Sequence, residues 1–287
     1  MIKDLHAENK SAESPFRGLG LHFKLEVIGF NIESCMLAQA AGAHRIELCD
    51  NPGEGGTTPS YGFIKAARQS LQIELYPIIR PRGGDFLYTD AEFEVMKTDV
   101  QICKELGCDG VVIGILHADG TVDKKRCKEL VALAYPMGVT FHRAFDRTKK
   151  PLLTSPRARD SDSAVLKFYS QALEDVIEIG CERILTSGLV PNALDGAETI
   201  VALIKQADER IIIMPGSGVR ADNIVELAQK TGAVEFHTSA RMNVDSKMNY
   251  ANEGMKESLK SVAVNEIEIK EIIFSLHNFF NAEKKRS

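Results

Sequence analysis

The stretch that decides the fold is GAHRIELCDNPGEGGTTPS, residues 42–60. Ile46 and Leu48 alternate with Arg45, Glu47 and Cys49, and this period of two predicts a strand with one apolar and one polar face. The Gly-, Thr- and Ser-rich loop that follows can wrap a small polar ligand. Because an unpaired buried charge is strongly unfavourable, the polar face predicts either a charge cluster or a functional site.

A weak internal repeat extends this pattern along the chain. Four segments begin with Gly, continue through a small residue and a polar step, and end in a strand: residues 42–48, 107–113, 180–186 and 232–238. Each Gly follows a helical stretch, which fits the left-handed position that ends a helix. Four further predicted strands alternate with them, at Lys24–Asn31, Glu74–Pro81, Gly138–Asp146 and Ile211–Gly218.

Amphipathic segments between these strands predict helices, and the clearest begins with the capping box Thr89–Glu92. Alternating strand–helix units over this length predict an α/β fold, a single (β/α)8 TIM barrel over residues 23–287. A doubly wound open sheet is the alternative, but the first strand is not followed by the Gly-x-Gly-x-x-Gly motif.

Three segments lie outside the alternating strands and helices that are predicted for the barrel. Residues 1–22 are polar and predict a disordered leader. Residues 147–163 predict an extended loop, and residues 241–264 a polar loop before the last helix. Loops of this length are usually functional or mobile, and the sequence leaves both possibilities open.

Composition excludes several classes of protein. The net charge of −5 argues against a nucleic-acid surface, and the chain has no apolar run long enough to span a membrane. The six cysteines are dispersed and form no Cys-x-x-Cys motif, which argues against a zinc ribbon or a redox pair. Free thiols indicate a reducing compartment, so a cytoplasmic location is expected, with the nucleus as a further one.

The repeat also assigns side chains to layers inside the barrel. The lower layer is charged, and we expect Arg45, Arg183 and Glu235 to neutralise one another there. The middle layer contains Glu47 and His237. The upper layer is small and polar, which predicts a pocket at the carboxyl ends of the strands; its members are Cys49, Gly114, Ser187 and Ser239.

Residues that can bind an anion or transfer protons follow several predicted strands. Glu47 and His142 are the candidate general acid and base. The turn 216–218 and Ser239 lie where such barrels often hold phosphate, and Arg80 suits bidentate anion binding. The predicted ligand-binding residues are Glu26, Arg80, Arg82, Asp146, Ser187, Gly216, Gly218, His237 and Ser239.

Together these motifs resemble the CutC family of copper-homeostasis proteins. The resemblance rests on residues 45–49, 54–60, 79–88, 140–146, 185–188 and 235–241. It implies a (β/α)8 barrel, intracellular copper handling and a homo-oligomer. It also implies that Cys49 is a copper ligand, but Ile28 stands where the family's first strand often has a second ligand cysteine.

Copper chemistry gives the first functional hypothesis. Cu(I) prefers thiolate and thioether ligands, so Cys49 is the predicted ligand, with His142, His237 and Met214 as helpers. The alternative is an isomerase, epimerase or lyase that acts on a small phosphorylated or carboxylated substrate through Glu47 and His142. A catalytically inert scaffold is a third hypothesis, which would leave the charged strand ends without a role.

Overall fold

The computed structural model of the protein describes residues 23–154, 167–252, 254–256 and 258–286. The predicted leader, residues 1–22, lies outside the described residues, as do residues 155–163 of the predicted extended loop.

Strands and helices alternate along the described chain. The described strands are β1 (Lys24–Gly29), β2 (Arg45–Leu48), β3 (Glu74–Pro77), β4 (Gly110–Ile113), β5 (Gly138–Phe141), β6 (Leu152–Thr154), β7 (Lys167–Tyr169), β8 (Arg183–Thr186), β9 (Ile212–Pro215), β10 (Glu235–Thr238), β11 (Arg241–Val244) and β12 (Ser261–Val264). The described α-helices are α1 (Ile32–Ala40), α2 (Tyr61–Ser70), α3 (Asp90–Glu105), α4 (Lys124–Ala134), α5 (Gln171–Ile179), α6 (Ala197–Ala207), α7 (Ile224–Thr231) and α8 (Glu266–Arg286).

Two four-stranded parallel sheets form the centre of the molecule. One has the order β10-β1-β2-β3 and the other the order β4-β5-β8-β9. They meet where Ile78 and Val112 form an isolated parallel bridge and the Ile79 amide donates to the Val112 carbonyl over 2.8 Å. The predicted α/β class with parallel strands is confirmed.

The repeated glycines explain how each helix turns into the next strand. Gly42, Gly107, Gly180 and Gly232 all have positive φ, at 99°, 76°, 94° and 72°. Residues with a Cβ avoid this conformation, so Gly ends the helix at little steric cost. The outward faces of the following strands are apolar, and Ile46, Val111, Ile184 and Phe236 are fully buried.

The observed strands are shorter than the predicted ones because they end where the chain turns into loops. β3 ends at Pro77 and β9 at Pro215, and proline has no N–H to donate to a neighbouring strand. β5 ends at Phe141, after which His142 begins a 3₁₀ turn. The residues beyond these ends were predicted as strand, and they form the loops described below.

Both long segments outside these predicted strands and helices contain strands that the sequence analysis missed. β6 pairs with β7, and β11 pairs with β12, each as an antiparallel ribbon. Residues 241–244 alternate polar and apolar side chains, whereas residues 262–264 are all apolar, and each strand is only four residues long. Among the described helices, none is long and apolar enough to cross a membrane.

Candidate functional site

A cavity of about 410 Å³ lies at the carboxyl ends of the parallel strands. Part of its wall is apolar, formed by Ile28, Ile78, Phe86 and Leu185. The rest is polar and mostly cationic, with Glu47, His142 and His237 beside four arginines: Arg80, Arg143, Arg220 and Arg241. Ser217, Gly218 and Ser239 complete the polar wall. Its position and polarity fit the pocket predicted from the strand pattern.

A cluster of buried charges joins the two sheets. Arg45 is fully buried and binds Glu26 at 2.5 Å and Glu235 at 2.7 Å. Arg183 binds the same Glu235 oxygen at 3.1 Å. The predicted neutralisation of the lower layer is therefore confirmed. Glu26 was predicted to bind ligand, and this role stays a prediction; in the structure both of its oxygens are engaged inside the protein, one by Arg45 and one by His237.

His237 connects this cluster to the cavity. Its Nδ1 lies 2.8 Å from Glu26 Oε1, and its Nε2 lies 3.8 Å from Glu47 Oε2. Burial opposes the charged imidazole, but the hydrogen bond to Glu26 and the nearby carboxylates outweigh it and raise the pKa of His237. In contrast, the Arg45 guanidinium and His237 outweigh the effect of burial on Glu26 and lower its pKa to about 2.

Glu47 is the carboxyl group that faces the cavity. It is 3 % exposed, and the Arg45 side chain is occupied by other carboxylates. Burial raises the pKa of Glu47 to about 7, although the His237 charge acts in the opposite direction. At neutral pH this group can both release and accept a proton, which is the behaviour expected of a general acid–base.

His142 is buried, and its ring orientation fixes the position of its proton. Nδ1 accepts a hydrogen bond from the Ala144 amide over 3.1 Å, so in the neutral ring the proton is on Nε2. Burial and the Arg80 charge lower the pKa of His142 to about 3, so the ring is neutral at physiological pH. Its Nε2 has no hydrogen-bond partner among the described residues. In this form His142 offers a hydrogen-bond donor to a ligand, and its predicted acid–base role stays a prediction.

Gly114 provides the space for this ring. A Cβ at position 114 would lie 2.4 Å from His142 Cε1. The small upper-layer residue was expected to leave room for a ligand, but the imidazole occupies that space instead. The ring also packs against Phe86, with ring centroids 5.0 Å apart.

Arg80 lines the cavity, but most of its donors are used to hold the surrounding loops. Its guanidinium donates to the carbonyls of Glu54 and Gly56 at 2.7 and 2.8 Å and to that of Gly84 at 2.9 Å. It also lies 5.1 Å above the ring of Phe86. Arg80 therefore shapes the cavity wall and adds charge to it, and its Nε has no hydrogen-bond partner among the described residues.

Asp146 and Ser187 position a cavity arginine instead of lining the cavity. Asp146 accepts hydrogen bonds from Thr186, from Ser187 and from the Leu189 amide. It also binds Arg143 Nε at 2.8 Å, and Ser187 Oγ accepts from the other end of the same guanidinium at 2.9 Å. The predicted ligand-binding role of Asp146 and Ser187 is thus replaced by fixing Arg143 at the cavity wall.

The turn after β9 also belongs to the cavity wall. Ser217 and Gly218 have φ of 81° and 71°, which is a strained conformation for serine. Among the described residues, neither of their backbone amides donates a hydrogen bond. Gly216 does not line the cavity; a Cβ there would lie 2.4 Å from Leu185 Cδ1, so its role is close packing.

Two predicted metal ligands lie outside the cavity. Cys49 is fully buried and packs with Ile28, Ile78, Tyr76 and Val112, and burial raises the pKa of its thiol well above the usual range. Met214 Sδ accepts from Arg45 within the charge cluster at 3.4 Å. Cys49 stays a predicted copper ligand. A copper ion would have to pass through this apolar cluster to reach its thiol.

Arg82 also lies outside the cavity, contrary to its predicted role. It binds Glu92 at 2.6 Å and donates to the Leu87 carbonyl at 2.8 Å. Its charge therefore stabilises its own loop and the start of α3.

Several residues of the cavity wall were not among the predicted site residues, including Phe86, Arg143, Arg220 and Arg241. Arg220 lies two residues beyond the predicted strand Ile211–Gly218, and Arg241 lies three residues beyond the segment 232–238, so arginines just after predicted strands were an available signal.

Comparison with known proteins shows the family of this chain. The CutC family model matches residues 23–242. A CutC family protein from Chromobacterium violaceum is 51 % identical over 231 residues, which cover 80 % of this chain and 86 % of that protein. The mouse copper homeostasis protein cutC homolog is 44 % identical over 254 residues, which cover 88 % of this chain and 87 % of that protein. A crystal structure of CutC from Streptococcus agalactiae has a TM-score of 0.66 and 34 % identity, covering 76 % of this chain and 98 % of its own.

The fold and the strand-end cavity place the chain among α/β proteins with parallel sheets. Because the family model spans most of the chain and the identities are high, the protein belongs to the CutC family.

Proposed function

We propose that this protein acts in copper homeostasis in the cytoplasm. The observation that carries the proposal is membership of the CutC family over a range that contains most of the cavity residues. Its mouse and human relatives, each 44 % identical, are both named copper homeostasis proteins. A nuclear location and assembly into a homo-oligomer remain predictions from the family resemblance.

Two positions in the molecule could bind the copper ion. The first is the group of Glu26, Glu47 and His237, whose potential ligand atoms lie within 4.8 Å of one another. With Nδ1 held by Glu26, His237 Nε2 is available beside Glu47. The distance of 3.8 Å between His237 Nε2 and Glu47 Oε2 would let both atoms bind the same ion, each at about 2 Å. Imidazole and carboxylate ligands favour Cu(II) over Cu(I).

The second position is Cys49. Its sulfur favours Cu(I), because this soft ion prefers thiolate ligands. Ile28 packs against Cys49 and provides no second sulfur ligand. Cys49 is also absent from the group of potential ligands around Glu47. The two positions therefore predict different oxidation states of the bound metal.

Copper titrations of matched variants separate the two positions. Cu(II) binding is measured by electron paramagnetic resonance, and Cu(I) binding by anaerobic competition with a chromophoric chelator. His237→Gln and Glu47→Gln are expected to weaken Cu(II) binding at least tenfold, whereas Cys49→Ser is expected to weaken only Cu(I) binding. Glu105→Gln, on the exposed end of α3, is the control. If all variants bind both ions as the wild type does, neither position is the copper site.

The same proposal includes closure of the two sheets into a (β/α)8 barrel. The β3–β4 bridge supports one junction. At the other junction, Arg183 on β8 binds Glu235 on β10, so the charge cluster spans both sheets inside the predicted barrel. The cavity wall also takes residues that follow strands of both sheets.

A second candidate function is an enzyme that binds a small anionic substrate. The observation that favours it is the cavity wall, which contains four arginines but only one carboxyl group, Glu47. Its volume of about 410 Å³ lies in the range of small-ligand pockets, about 300–1,000 Å³. Calorimetric titration with inorganic phosphate tests this function. The expected result is saturable binding that Arg241→Gln weakens at least tenfold, and absence of binding would refute it.

A further inference from the structure

Two side chains in the cavity have complementary proton chemistry. Glu47 is a buried carboxyl group on the cavity wall, and its Oε2 lies 3.8 Å from His237 Nε2, so as a carboxylate it can accept a proton from a ligand in the cavity. His142 is a neutral imidazole whose proton is on Nε2, and that nitrogen has no partner among the described residues. A buried donor without a partner is unfavourable, so a ligand oxygen that accepts from it gains a strong hydrogen bond.

This combination is suited to one type of reaction. A carboxylate base beside a neutral imidazole donor can remove a proton from carbon while the donor stabilises the negative charge that develops on a carbonyl oxygen. A cationic imidazole would serve less well as a lasting donor, because it would give up its proton. The Ala144 amide donates to Nδ1 and so keeps the ring in the neutral form with its proton on Nε2.

Another part of the cavity wall is suited to a phosphate group. The Ser217 and Gly218 amides donate no hydrogen bond to described residues, and both residues lie on the cavity wall, so these amides are available to a ligand there. Arg143 is paired with Asp146 and Arg220 with Glu268, and Arg241 adds a third guanidinium to the cavity wall. A phosphomonoester carries nearly two negative charges at neutral pH and uses more of these donors than a carboxylate would.

We propose that the cavity is an active site that enolises a small phosphorylated hydroxy-carbonyl compound. Glu47 is the base, His142 donates to the carbonyl oxygen, and the wall formed by Ser217, Gly218 and the arginines binds the phosphate. This inference rests on the second candidate function, since it requires that the cavity bind an anion.

The proposed step is balanced without a further reactant. The bond between hydrogen and the carbon next to the carbonyl breaks, and the proton goes to a Glu47 oxygen. The electron pair forms the new C=C bond, and the carbonyl π electrons move to the oxygen that accepts from His142. Return of a proton from Glu47 to the same face of this carbon restores that centre. In deuterated water, Glu47 exchanges its proton, so the substrate acquires deuterium at this carbon.

The test follows this exchange by proton NMR in deuterated buffer near pD 7.5. Dihydroxyacetone phosphate and ribulose 5-phosphate are the probes, and the unphosphorylated dihydroxyacetone and ribulose are their matched controls. With wild-type protein, we expect the phosphorylated probes to exchange at least a hundredfold faster than the protein-free blank. The unphosphorylated controls are expected to exchange much more slowly.

Three variants and one control assign the roles. Glu47→Gln is expected to lower the exchange rate at least a hundredfold, and His142→Phe at least tenfold while retaining an aromatic ring. Arg241→Gln is expected to raise the apparent KM for the phosphorylated probes. Arg82→Gln alters an arginine outside the cavity and should leave exchange unchanged. Circular dichroism verifies that each variant is folded.

Two results would overturn the inference. One is the absence of exchange above the blank; the other is exchange that Glu47→Gln does not slow. If phosphate binds in the calorimetric titration but no probe exchanges, the anion-binding function stands and the enolisation is refuted. If phosphate does not bind either, both are refuted.

Discussion

Replacing Glu47 with glutamine should stabilise the protein at alkaline pH. Glu47 is 3 % exposed, and burial raises its pKa from 4.5 to about 7. The folded state therefore binds this proton more tightly than the unfolded chain does. The contribution of Glu47 to stability is complete below pH 4.5 and is lost as the pH rises from 4.5 to about 7. Glutamine has no such charge to bury.

The expected magnitude follows from these two pKa values. One pKa unit corresponds to about 1.4 kcal/mol, so ionising Glu47 in the folded protein costs about 3 kcal/mol at pH 8. At pH 5 most of the penalty is absent, and the same linkage gives about 1 kcal/mol. The advantage of Glu47→Gln over the wild type should thus grow by about 2 kcal/mol between pH 5 and pH 8.

Urea unfolding at both pH values measures this change directly. Effects of glutamine on packing cancel when the two pH values are compared, since they do not depend on pH. Glu105→Gln is the matched control and should show no such growth. If the advantage of Glu47→Gln is the same at pH 5 and pH 8, the folded-state pKa of Glu47 is not raised, and its assignment as an acid–base group fails.

Three further predictions concern the parts that support the cavity. Arg45→Met should lower the free energy of unfolding by about 3–5 kcal/mol, because it removes the guanidinium shared by the buried Glu26 and Glu235, which would keep only His237 and Arg183 as partners. Urea unfolding measures this loss, with Arg82→Met as the control. A loss no larger than that of the control would contradict a stabilising role of the charge cluster. Gly114→Ala should lower thermal stability by about 1–3 kcal/mol and shift the His142 ring resonances, since the new Cβ would overlap the imidazole. Unchanged ring resonances would contradict the described position of His142. All six cysteines are buried and free, so a thiol reagent should label them slowly in the folded protein and rapidly in urea. Rapid labelling of the folded protein would show that a cysteine such as Cys49 is accessible.

Regular features of the sequence predicted the framework well. The glycines of the repeat mark positions with positive φ, and the residues after them alternate between buried apolar and inward polar side chains. The charge balance of Arg45, Arg183 and Glu235 likewise followed from their shared layer, because buried charges must be paired.

The roles of individual site residues could not be predicted in the same way. Whether a polar side chain faces the cavity or serves another side chain depends on loop conformation, which strand periodicity does not encode. Asp146 and Ser187 bind Arg143, and Arg82 binds Glu92, so their charges are used locally. The protonation state of His142 depends on one backbone amide, that of Ala144, which no sequence motif specifies.

The most direct test of the cavity as a proton-transfer site is an NMR titration of the Glu47 carboxyl group. Protein labelled with carbon-13 at the glutamate side-chain carboxyl is titrated from pH 4 to pH 9, and Glu47→Gln identifies the signal. We predict a midpoint near pH 7, in accord with the raised pKa of Glu47. A midpoint below pH 5 would show that Glu47 is a permanently ionised carboxylate and would contradict its role as the acid–base group of the cavity.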